Sequence, residues 1–400
     1  MKPTQFELAQ PILERLTTHG YEAYFVGGAV RDYLMKRPIH DVDITTNATP
    51  DEIEALFDHT IPIGKEHGTI NVVWAHENYE VTTFRAEAEY VDHRRPTEVF
   101  FVRDLYQDVE RRDFTMNAIA MDTHYHLIDF FAGEQDIAQG LIRTVGDAVS
   151  RFDEDALRIL RGLRFKSQLG FKIVPETFEG MQRCISDIQY LSIERLMSEL
   201  SLLVNGSFVK ETLPLLHQLE LWNHIPFFKT MNIPSIQLES PVTIEWFLAL
   251  IDYQFGPLSF KPLKLSNSQN KTIQKLSHAL QQVQSIDSKS ACRHFIYDFG
   301  LDIAIELVTQ RKTLHLNRIH LPNITIFNTP LIQEIWEHLP IYGHEDIAID
   351  GKQLMQAFNL KGGPWIKAVL HRVELAIIDN ELHNETEAII EWVRTNVKIS

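Results

Sequence analysis

A chain of 400 residues with 54 acidic and 38 basic side chains, a net charge of −16, is too long for one average domain and predicts about two to four packed units. No stretch reaches the ~18 uninterrupted apolar residues of a membrane-spanning helix, the first residues are polar rather than signal-like, and Cys184 and Cys292 stand too far apart for a disulfide framework or a cysteine zinc site. The expectation is a globular, cytoplasmic protein with two buried thiols, whose acidic total lends no support to nucleic-acid binding, so any phosphate contacts must come from a local basic stripe.

Phe6, Ala9, Ile12, Leu13 and Leu16 stand at helical spacing and predict a helix over 4–18, closed by Gly20. The apolar run 23–26 predicts a strand that stops at Gly27 and Gly28, with Arg31 and Asp32 following. Paired glycines let backbone N–H groups approach a phosphate, and Arg31 could clamp phosphate oxygens, although a strand-to-helix turn uses the same residues for geometry alone. Next come Asp41-Val42-Asp43-Ile44. Strand side chains alternate, so both carboxylates face one way while Val42 and Ile44 point into the core. Two like charges on one face repel unless a divalent cation lies between them, and Mg²⁺ prefers carboxylate and phosphate oxygens; ordinary acids on an exposed strand edge are the alternative. Further strands are expected at 42–45, 69–74, 79–84 and 98–102, with a helix over 49–57 carrying Pro50 in its first turn.

After residue 144 the spacing turns helical, as in 155–169 and 193–203, with breaks near 206, 232–240, 263–270 and 321–330. Before that change lie Arg111, Arg112, Asp113 and Asn117, the arginines placed to reach a triphosphate or ribose and the last two on one side of a helical turn. Asp155 and Arg158, at i and i+3, are expected on one helix face as an acceptor beside a forked donor. Cytosine and adenine both offer an amino donor next to a ring-nitrogen acceptor, whereas uracil and guanine offer a carbonyl there, a mismatch of about 1–3 kcal/mol. An intrahelical ion pair worth ~0.3–0.5 kcal/mol fits the same spacing. Arg161 and Arg164 continue the rhythm, inside a window from Arg158 to Lys172 that holds no acid.

The glycine pair, Arg31 and the two aspartates together resemble the head of the polymerase-beta-like nucleotidyltransferases, where a third carboxylate on a neighbouring strand often completes the metal site; Glu80 is the candidate by position. Adding Arg111 to Ala120, Asp129 to Gly133, Glu154 to Arg158 and Ser192 to Leu200, the order of motifs is similar to that of class II CCA-adding enzymes, which share a family with bacterial poly(A) polymerases. The resemblance implies an α/β head with a mixed sheet over 1–143, then an all-α neck (144–205), body (206–335) and tail (336–400). It implies addition of C, C and A to transfer RNA from CTP and ATP. Asp41 and Asp43 would be catalytic and hold Mg²⁺; Gly28, Arg31, Arg112, Asp155, Arg158, Arg161 and Arg164 would hold the nucleotide. No membrane is expected, and a homodimer is compatible. Poly(A) polymerases of the family carry an arginine-rich segment where this chain has Ile63 to Thr69, and a basic extension where its last 30 residues hold six acids against three bases, so transfer RNA is favoured. The polar stretch 85–96 resembles the flexible element of members that add all three nucleotides. Residues 349–355 and 362–366 resemble the tail of the shorter bacterial enzymes without a phosphohydrolase domain, with Lys367 where relatives often have glycine.

Overall fold

The computed structural model describes residues 4–87, 90–91, 95–96 and 99–397, which fall into two compact units, Met1–Ile233 with Lys261–Lys264 and Pro234–Phe260 with Leu265–Ser400. In the first unit α1 (Gln5–Thr18) starts at a capping box between Thr4 and Glu7 and buries the predicted stripe of Phe6, Ala9, Ile12, Leu13 and Leu16. Burying such side chains contributes roughly 1.5–3 kcal/mol each, which fixes the helix against the sheet far more firmly than its cap does.

The sheet has seven strands. In spatial order they are Leu127–Asp129, Ile119–Met121, β1 (Ala23–Val26), β2 (Asp43–Thr46), then Glu77–Thr83, Thr69–Trp74 and Thr60–Ile61. β2 pairs antiparallel with β1 and parallel with Glu77–Thr83, so the sheet is mixed, and as an inner strand it buries Ile44 on one face and Thr45 on the other. Register decides what surrounds the start of β2: Val26 is opposite Asp43, which puts the Gly27–Gly28 turn beside that carboxylate, and the Ile44–Val81 pair brings Glu80 alongside from the other neighbour. Two short helices cover the turns, α2 (Gly28–Leu34) and α3 (Pro50–Leu56), the latter with Thr49 and Glu52 forming its capping box.

The chain then continues as α4 (Leu105–Glu110), α5 (Gly133–Gln139), α6 (Ala148–Glu154), α7 (Leu157–Leu169), α8 (Pro175–Cys184) and α9 (Ile193–Val204). α7 packs on α9 and on Phe114; a Cβ at Gly162 would lie 2.5 Å from Met181 and 2.9 Å from Phe114, so only glycine permits that approach. This region is not purely helical, because Lys172–Ile173 pairs in parallel with Leu141–Ile142 where Gly170 turns the chain back after α7. Among the described residues of the second unit all regular secondary structure is helical, with Ser266–Gln269 and Asp350–Gln353 capping boxes and Trp246 and Phe327 among its fully buried side chains. An α/β head followed by helices is the fold class the motif order implies. Among the described residues no helix is long and apolar enough to cross a membrane. Both cysteines are free and buried, and burial pushes each thiol up to about 11.

Candidate active site

A cleft of about 1090 Å³ in the first unit is lined by Gly28, Arg31, Asp41, Asp43, Arg112, Asp155, Arg158, Arg161 and Arg164, so the structure gathers every residue singled out as a metal or nucleotide contact in one place. Asp41 lies two residues before β2 and Asp43 begins it, with Val42 between them buried. Asp43 opens on the cleft yet has enough protein around it that desolvation is the chief cause raising its pKa; Glu80 and Asp41 add to the rise and Arg112 opposes it. Three carboxylates therefore share one field. Among the described residues no three His, Cys, Asp or Glu side chains are close enough to cage a metal. The donor set is all carboxylate oxygen at the edge of an open cleft, which suits a hard cation that takes its remaining ligands from a substrate.

Gly27 has φ 73°, a conformation glycine adopts freely, and a Cβ there would lie 3.2 Å from Arg112 Nη1 and 3.5 Å from Asp43 Oδ2. The missing side chain is what lets this turn sit against both charges. Arg31, 8% exposed, donates from Nη1 to Asn117 Oδ1 at 2.8 Å and pairs with Asp32 at 3.0 Å. Arg112 is held by Asp108 (3.6 Å) and by the Asn117 carbonyl (3.4 Å), while its Nε is buried without a hydrogen-bond partner among the described residues. Arg111 also lines the cleft and makes the closer pair with the same fully buried Asp108, at 2.8 Å. Asp108 also accepts from the Thr45 hydroxyl at 3.1 Å, tying the helix before the arginines to β2.

Asp155 and Arg158 do not share a helix. The expected helix over 155–169 begins only at Leu157; Asp155 is extended (φ −145°, ψ 104°) in the break after α6, because its carboxylate accepts from the Leu157 N–H at 3.0 Å and so caps the new helix. Nor do the two form the ion pair that was the alternative reading. Asp155 Oδ2 takes Arg195 of α9 at 2.8 Å, and Arg158, 8% exposed, pairs with Glu154 and donates to the carbonyls of Arg151 (3.1 Å) and Arg111 (3.0 Å). Both nevertheless line the cleft, each held from outside the pair.

The ridge of Arg161 and Arg164 is also less bare than an acid-free window suggests. Arg161 pairs with Asp113 at 2.7 Å and Arg164 with Glu199 at 2.6 Å, acids that lie far off in the sequence. Burial alone would raise the Asp113 carboxyl, but Arg161, Asn117 and Arg158 together bring it down to about 2, so it stays ionised at any working pH. Asp108 as a partner of the site had no local signal in the sequence, while Arg195 lies in the Ser192 to Leu200 segment that the resemblance already brought in. Of the polar stretch 85–96, residues 88–89 and 92–94 lie outside the described residues.

A family model described as the poly A polymerase head domain matches residues 23–143, one for the RNA and SrmB binding site of polymerase A matches 170–231, and one for tRNA nucleotidyltransferase domain 2 matches 246–393. The chain is 50% identical to a CCA-adding enzyme of Staphylococcus epidermidis over 98% of its length and 99% of the relative's, and 49% identical to one of Staphylococcus aureus over the whole of both. Among solved structures it is similar to a Bacillus stearothermophilus CCA-adding enzyme in complex with CTP, with a TM-score of 0.82, 34% identity and coverage of 99% and 98% of the two chains. The chain belongs to the CCA-adding enzymes, a family of nucleotidyltransferases.

Proposed function

We propose that this cleft adds C, C and A in turn to the 3′ end of transfer RNA from CTP and ATP, without a nucleic-acid template, and that it also restores damaged ends. The observation that carries this reading is the opening of the acidic cluster at β2 and of the Asp155–Arg158 region onto one cleft. The 3′-hydroxyl attacks the α-phosphate, the bond to the β-phosphate breaks, and pyrophosphate leaves. Mg²⁺ held by Asp41 and Asp43, with Glu80 beside them, would favour the ionised hydroxyl and neutralise charge on the leaving group. The Gly28 backbone and Arg31 receive the triphosphate, Arg31 being already oriented by Asn117. Arg112, on the cleft wall, reaches ribose or phosphate. Asp155 offers the base an acceptor, since a carboxylate has about four lone-pair positions and only two contacts are occupied by Leu157 and Arg195. Arg158 supplies the donor by exchanging one of its carbonyl contacts for the base. Arg161 and Arg164 complete the cationic wall.

The division into head (1–143), neck (144–205), body (206–335) and tail (336–400) belongs to the same proposal, with the tail as an RNA-binding part. Transfer RNA lacking CCA, given CTP alone, ATP alone or both, tests the reading. CTP alone should extend the RNA by two residues, the mixture by three, and then extension should stop. Repeated AMP addition to unrelated RNA would replace this reading with that of a poly(A) polymerase.

A further inference from the structure

The ring of Phe165 sits among three guanidinium groups of the cleft. Its centroid lies 4.1 Å from Cζ of Arg164, 5.2 Å from that of Arg31 and 5.5 Å from that of Arg161, all within the ~6 Å reach of a cation–π contact. Arg31 comes from α2 and the other two from α7, so a single side chain touches cations supplied by two distant segments. The ring is 4% exposed and is itself fixed edge-on against Phe114, with centroids 5.9 Å apart and planes at 88°.

Three cations converging on one point repel one another. Each is also paired with a carboxylate: Arg31 with Asp32 at 3.0 Å, Arg161 with Asp113 at 2.7 Å and Arg164 with Glu199 at 2.6 Å. With those ion pairs made, each guanidinium is held from two directions, by its carboxylate and by the shared ring. The negative face of an aromatic ring gives the three cations a common contact without neutralising them, and an aliphatic side chain of similar bulk has no such face.

We propose that Phe165 is a positioning residue, an aromatic seat that spaces Arg31, Arg161 and Arg164 for the triphosphate common to CTP and ATP. The inference rests on the reading that these arginines meet the nucleotide. Steady-state kinetics of CMP and AMP addition by Phe165→Leu and Phe165→Tyr, with thermal unfolding of each, test it; Phe165→Met is a second ring-free variant should the leucine variant not fold. The ring-free variant should raise KM for CTP and for ATP together, by about fivefold, with kcat within about twofold, and the tyrosine variant should stay near wild type. A lower Tm with unchanged KM would make Phe165 a core residue only. Equal KM increases in the tyrosine and ring-free variants, or an increase for one nucleotide alone, would also overturn the seat. Arg161→Gln separates the two layers of the argument: if it leaves KM unchanged, the arginine reading fails, whereas if it raises KM and the ring-free variant does not, only the Phe165 inference fails.

Discussion

Asp43→Ala should abolish incorporation of both CMP and AMP, by on the order of a thousandfold or more, and Asp41→Ala should do the same, because metal chemistry is common to every step. The fold should survive. The pKa of Asp43 is raised chiefly by desolvation, with Glu80 and Asp41 adding to the rise and Arg112 opposing it, so folding is less favourable with this carboxyl ionised than with it protonated. A group whose folded pKa lies above its unfolded value favours the folded state at low pH, and that contribution is lost as pH rises through the folded pKa. Asp43→Asn removes the loss, so at neutral pH in a chelator-containing buffer it should unfold at or above the wild-type Tm while remaining inactive. Single-turnover addition and thermal scans of the three variants check this. An inactive variant that is also markedly less stable would indicate a structural role, and a variant that loses one nucleotide but keeps the other would contradict a shared metal site.

Changing the base-reading pair should alter which nucleotide is used before it alters stability. Asp155→Asn places a donor where only an acceptor stood, and Arg158→Gln offers an acceptor where there were only donors. Each change should raise kcat/KM for UTP or GTP relative to CTP and ATP by about tenfold to a hundredfold. Asp155 caps α7 and meets Arg195; asparagine caps about as well as aspartate and can still accept from the Leu157 N–H, so Asp155→Asn loses only the partly solvated ion pair and should destabilise by no more than about 1 kcal/mol. Relative kcat/KM for the four nucleotides, measured beside thermal unfolding, separates the two roles. A folded, active Asp155→Asn with unchanged selectivity would reduce Asp155 to a helix cap.

The contrast between these two groups of residues shows what the sequence could and could not convey. Asp41 and Asp43 were legible because their i, i+2 spacing around apolar residues is a local pattern: Val42 and Ile44 are buried and both carboxylates line the cleft, although the strand begins only at Asp43 and leaves Asp41 outside it. The stripe of α1 and the strand 23–26 were legible for the same reason. Asp155 was misplaced because i, i+3 spacing assumes an unbroken helix. The break before Leu157 has neither proline nor glycine and comes from the carboxylate capping its own downstream N–H, one of the uses of aspartate that competes with helix continuation. The pairings of Arg161 with Asp113, Arg164 with Glu199 and Asp155 with Arg195 span 48, 35 and 40 positions, and no local pattern connects them. The contacts that give Gly162 and Phe165 their meaning, with Phe114, Met181 and Arg31, come from other parts of the chain, and no local pattern in α7 announces them.

The claim at the centre of this account is that one cleft, by its own side chains, accepts cytosine and adenine and refuses the other two bases. Equilibrium competition among the four nucleoside triphosphates on the full chain, without transfer RNA and with Mg²⁺ present, tests it most directly. The account predicts a single site for which CTP and ATP compete one for one, with UTP and GTP at least about tenfold weaker. Simultaneous binding of CTP and ATP, or UTP binding as tightly as CTP, would contradict it.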